Sequence, residues 1–145
     1  GVASAREPSL PISLRGAEPS FDLAAALVLT LHERLVPAPW SADPLWPRPL
    51  RAVLKSGAAT PTESALVLVA WFRQAGLEAT WALVHPGDSP PQHTPIGYTD
   101  ALVRVRLNGE TEWVAPSCQR CAHPFELPEQ LRGKKLLGPA GDRAP

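Results

Sequence analysis

Gly57-Ala58-Ala59-Thr60-Pro61-Thr62-Glu63-Ser64-Ala65 opens the stretch that decides the fold, and Arg73-Gln74-Ala75-Gly76 closes it. Thr60-Pro61-Thr62-Glu63 has the form of a helix start. Thr60 is placed to cap, and Pro61 sits at the first helical position, where a missing N–H costs nothing. Glu63, three residues after Thr60, completes a capping box. From Ala65 to Phe72 every residue is apolar, and a helix apolar on all sides belongs in an interior. Gly76 supplies the left-handed residue past the last turn, and Leu77 can fold back onto it. The pattern predicts a buried central helix with both ends defined.

Upstream, Ser20 is a plausible cap for a helix from about Phe21 to Leu35, with Asp22 in its first turn. Leu23, Leu27, Leu31 and Leu35 fall four apart and give that helix one apolar face. Pro37 and Pro39 end it. Between Pro37 and Pro49 five prolines and two tryptophans make an irregular connection, in which Trp40 and Trp46 read as lids over the core. A short helix is expected from Arg48 to Lys55, with Pro49 at its start. Before Ser20 the chain reads as an extended segment, 1–19, with Pro11-Ile12-Ser13-Leu14 as a brief edge strand.

Downstream, Ala79 to Val84 reads as a strand and Pro86 to Thr99 as a loop. Asp100 to Leu107 and Glu110 to Val114 form a hairpin around Asn108-Gly109. A two-residue loop would pair Leu107 with Glu110 and Val105 with Glu112. A three-residue loop would set Arg106 against Glu110, Arg104 against Glu112 and Val103 against Trp113. The second register offers the better cross-strand partners but turns residues 100 and 115 to opposite faces, which a bulge would reconcile, so the pattern leaves the register open. After Pro124 the chain reads as loop with a helical turn near Glu129, and residues 138–145 as a frayed tail.

Fourteen basic residues balance fourteen acidic ones, so no charge excess points to nucleic acid. A length of 145 residues suits a single domain with its own core. The apolar run from Leu23 to Leu31 is far too short for a membrane span, which needs roughly 20 residues. The chain holds no methionine and opens on no signal peptide, which reads as a processed product or an excised domain. Its richness in Ala, Pro, Leu and Arg suits a GC-rich bacterial genome.

The order of elements is helix, irregular segment, buried helix, strand, long loop, hairpin and then a Pro-Ser step. Across residues 20–137 this resembles the transglutaminase-like superfamily, whose core is papain-like. The run Ala65 to Ala79 resembles the family's nucleophile helix. Asp100-Ala101-Leu102-Val103 and Trp113-Val114-Ala115-Pro116-Ser117 resemble the strands that carry its His and Asp. The resemblance implies an α+β fold, two main helices packed on a small antiparallel sheet. In the active family a cysteine opens the buried helix, where the N-terminus stabilises a thiolate and a histidine completes its activation. Here that place falls at Pro61, or with a shift at Thr60 or Ala59. Asp100 stands where the histidine would be and Ala115 where the aspartate would be. An aspartate cannot act as an imidazole near neutral pH without a large pKa shift. The resemblance therefore implies a degenerate triad and a pseudoenzyme, and no cofactor is expected.

Cys118-Gln119-Arg120-Cys121 is the other reactive cluster. The favoured reading is structural pinning of the loop after the hairpin, as a local disulfide or two thiols, and a disulfide would suit an extracytoplasmic setting. A zinc site could use Cys118, Cys121 and His123, with His85 or His93 as the fourth ligand. A redox motif normally opens a helix, which Pro124 and Pro128 discourage. Ser117 reads as a turn residue. The expected function is a non-catalytic module that binds a partner protein or scaffolds an assembly, of unassigned oligomeric state. The alternatives are a metal or redox site at Cys118 and Cys121, and small-ligand binding in the former cleft between Pro61 and Asp100.

Overall fold

The computed structural model describes residues 8–38, 47–85 and 100–145. Among them the chain forms helices α1 (Phe21–Arg34), α2 (Leu50–Ser56) and α3 (Pro61–Gln74). Short strands β1 (Val36–Pro37) and β2 (Ala58–Ala59) pair in parallel. Strands β3 (Glu78–Val84), β4 (Asp100–Leu107), β5 (Glu110–Val114) and β6 (Leu136–Leu137) form an antiparallel sheet in the order β5-β4-β3-β6. The class is α+β. The roles expected of Trp40, Trp46 and His93, and the loop from Pro86 to Thr99, lie outside the described residues.

The helix signals act as the sequence predicts. Ser20 caps α1 by accepting from the Leu23 amide at 3.0 Å. The α1 face of Leu23, Leu27 and Leu31 is buried. At the far end of α3 the Leu77 amide donates to Phe72 and the Gly76 amide to Arg73. With Gly76 at φ 86° this is a Schellman closure. Val67, Leu68, Trp71 and Phe72 are fully enclosed. The short helix begins at Leu50 rather than Arg48, with Pro49 in the capping place.

Two core layers flank the sheet. Ala79, Leu83, Ala101, Val103, Val105 and Val114 face the helices, while Ala82, Val84, Leu102 and Ala115 face the C-terminal segment. This alternation is the period-2 signature of a sheet covered on both sides.

Two expectations are overturned, and the open hairpin register is decided. Ile12–Leu14 is a 3-10 turn and not an edge strand. Nearby, residues 8–10 are tied to α3: the Trp71 indole donates to Ser9 O at 3.0 Å and the Gln74 amide to Pro8 O at 2.6 Å. Residues 138–145 do not fray. Ala140 and Ala144 are buried, the Ala140 amide donates to Trp81 O, and the Ala144 amide donates to Lys134 O. The hairpin takes the two-residue loop, with Leu107 opposite Glu110, Val105 opposite Glu112 and Val103 opposite Val114. Asn108 at φ 52° and Gly109 at φ 82° show why. Both turn residues adopt positive φ, the combination that a tight primed hairpin turn requires and that Asn-Gly satisfies. Turn geometry outweighs the few tenths of a kcal/mol that each cross-strand ion pair offers.

Candidate functional site

The hairpin register has a functional consequence. Continuing the pairing of Val103 with Val114 places Leu102 beside Ala115, and both lie in the layer under the C-terminal segment. By strand alternation Asp100 shares their face. Asp100 and Ala115 thus come together, and both line one cleft of about 500 Å³. This is the one-face arrangement that a working histidine and aspartate would need.

The cleft draws on separate parts of the chain. Its apolar wall includes Pro37, Pro128 and Leu131. Ser117, Gln119, Arg120 and Gln130 supply polar groups, and no histidine is among its described lining. The Gln119 side-chain amide is held by donating to Leu35 O at 2.9 Å. Asp100 is half-buried, and loss of water raises its carboxyl pKa above the ordinary value.

Pro61 is not part of this lining. Pro37, which does line the cleft, pairs with Ala59, two residues before Pro61. The start of α3 is itself fully occupied. The Thr60 hydroxyl accepts from the Glu63 amide at 3.2 Å, and Glu63 Oε1 accepts from the Thr60 amide at 3.0 Å. The Glu63 carboxylate, only 2% exposed, is gripped from the other side by Arg48. Arg48 Nε and its backbone amide both donate to Oε2 at 2.9 Å, and a terminal guanidinium nitrogen donates to Oε1 at 2.9 Å. The same guanidinium donates to Ala58 O at 2.8 Å. Burial alone would raise the Glu63 pKa, but the hydrogen bonds from Arg48 and Thr60 outweigh it and bring it to about 2. A permanent anion therefore sits at the helix N-terminus, where the helix dipole favours it.

Cys118 and Cys121 form a disulfide. In this state neither sulfur is a thiolate, the form in which cysteine ligates zinc. His123 instead receives the Phe125 amide on Nδ1 at 3.2 Å, and buried His85 lies at the end of β3, where its backbone amide bonds to Lys135 O. No group of three metal-ligating side chains occurs among the described residues. The disulfide follows β5 directly, and Cys118 lines the cleft. There the loop is also fixed by His32 Nε2, which donates to Pro116 O at 2.9 Å.

The sequence reading found Asp100, Ala115, Cys118 and Cys121. It missed Arg48, whose partner lies on another element, and Gln119, Arg120 and Gln130, which share no motif. No helix among the described residues is long and apolar enough to cross a membrane.

No protein-family model matches the chain, and no curated protein does. Among solved structures it is similar to a protein from Parabacteroides distasonis named as a putative protease, with a TM-score of 0.64 and 19% identity. The likeness covers 85% of this chain but 23% of that one. At that identity it speaks to the fold alone.

Proposed function

We propose that this chain is a transglutaminase-like domain that has given up catalysis and serves as a protein-binding module in a larger assembly. The observation that carries the reading is the occupied start of α3. Pro61, which the resemblance sets in the place of the family's cysteine, carries no nucleophile, and beside it the Glu63 carboxylate is clamped by Arg48 and Thr60. Asp100 and Ala115, which the resemblance aligns with the missing base and its orienting carboxylate, line one cleft. Both cysteines of the chain are consumed in one disulfide. The similar solved structure carries this fold as under a quarter of its length, a context that suits a module. The disulfide favours an oxidising, extracytoplasmic setting.

The test is an assay of the purified chain for thiol-dependent acyl transfer and peptide hydrolysis. We expect neither, with or without reductant. Turnover abolished by substituting Thr60 or a neighbour within 57–63 would overturn the reading.

A further inference from the structure

We propose that the cleft beside Asp100 receives a lysine or arginine side chain presented by a partner polypeptide. This rests on the module reading above and names the chemistry its partner must offer. Asp100 is a half-buried carboxyl that, among the described residues, makes no hydrogen bond and no ion pair. A desolvated carboxylate without a partner is costly, and a charge-assisted hydrogen bond from outside removes that cost. Among the described residues no cation pairs with Asp100. Outside them, residues 39–46 and 86–99 contain neither lysine nor arginine, and residues 1–7 contain one arginine, Arg6. Arg120, on the cleft lining, is exposed and solvated.

The shape selects a polypeptide over a free ion. About 500 Å³ exceeds one side chain and falls within the range of sites that enclose a small organic ligand. Pro37, Pro128 and Leu131 offer apolar contact for an aliphatic stem, and Ser117 and Gln130 can both donate to and accept from a peptide backbone. The face is thus complementary to a short segment with one basic residue at its centre, with Asp100 as the specificity-determining group.

The experiment is a two-dimensional amide NMR titration of the full, oxidised chain with three probes: acetyl-Ala-Lys-Ala-amide, the same peptide with norleucine for lysine, and n-butylamine. The lysine peptide is expected to shift amides at residues 100–102 and 115–120 and to saturate. The norleucine peptide and the free amine should bind at least about tenfold more weakly, the loss expected when a charge-assisted hydrogen bond or its supporting contacts are removed. Asp100→Asn should weaken the lysine peptide by a similar factor, while Glu110→Gln, exposed at the turn end of the hairpin and outside the cleft, should leave it within about twofold. Equal response to lysine and norleucine, an unchanged affinity in Asp100→Asn, or no saturable shift at all would overturn the proposal. Butylamine binding as tightly as the peptide would overturn the partner side chain in favour of a small-amine site. The catalytic assay is independent of these outcomes, so turnover would sink the module reading whatever the titration shows.

Discussion

The start of α3 and the cleft at the end of β4 each hold one carboxyl group, and the two are treated in opposite ways. Glu63 is almost fully buried, yet it is surrounded by the Arg48 guanidinium, the Arg48 backbone amide and the Thr60 amide. Asp100 is less buried and has none of these. Depth of burial is therefore not what separates the two carboxyls. Compensation is: the satisfied carboxylate holds helix, connection and β2 together, while the unsatisfied one is left facing a cleft.

The largest effect should come from Arg48→Ala. Removing the cation leaves Glu63 ionised and nearly buried, with an expected loss of about 3 kcal/mol by urea denaturation. A loss below about 1 kcal/mol would show that solvent replaces Arg48 and that the clamp is not tight. Replacing Cys118 and Cys121 by serine opens a very short covalent ring. The expected loss is about 2 kcal/mol at most, and the amides of 117–120 should broaden or shift. Thr60→Ala removes one half of the capping box, for about 1 kcal/mol. Asp100→Asn should be the mildest, within about 0.5 kcal/mol of the parent and in the stabilising direction, because it deletes an unpaired desolvated charge. A clear destabilisation would mean that Asp100 has a structural partner after all.

Acid titration sharpens the same contrast, because the two carboxyls carry opposite signs. The folded pKa of Glu63 lies below its ordinary 4.5, at about 2. Its contribution is present above 4.5 and is lost as pH falls from there toward 2. The folded pKa of Asp100 lies above its ordinary 3.8. Its penalty is present when it is ionised and is relieved as pH falls through that raised value to below 3.8. Stability measured from pH 7 to pH 2 should therefore be steeper in Asp100→Asn, which keeps only the Glu63 loss, and flatter in Glu63→Gln. Parallel curves for the two variants would contradict the assignment.

What could be read from the sequence follows the range of the interactions. The cap of α1, both ends of α3 and the turn near Glu129 depend on residues within a few positions, and each was legible. The hairpin register was legible in principle. Asn108-Gly109 carried the decisive signal, but charge pairing between Arg104 and Glu112 is a weaker force than the backbone demand of the turn. The Arg48 clamp, the ties from Pro8 and Ser9 to α3, and the packing of residues 138–145 all join distant segments without periodicity. The cleft was legible as two positions, Asp100 and Ala115, but its polar lining comes from loops whose spacing carries no pattern.

The C-terminal segment also sets a kinetic property. β6 docks on β3, and Ala140 and Arg143 lock that docking through Trp81 and Gly133. These pairings close a long loop, whereas α3 and the Asn-Gly hairpin are local and can form early. The segment is therefore expected to seal the second core layer after the main barrier is crossed. Loosening it should speed unfolding while leaving the folding rate nearly unchanged.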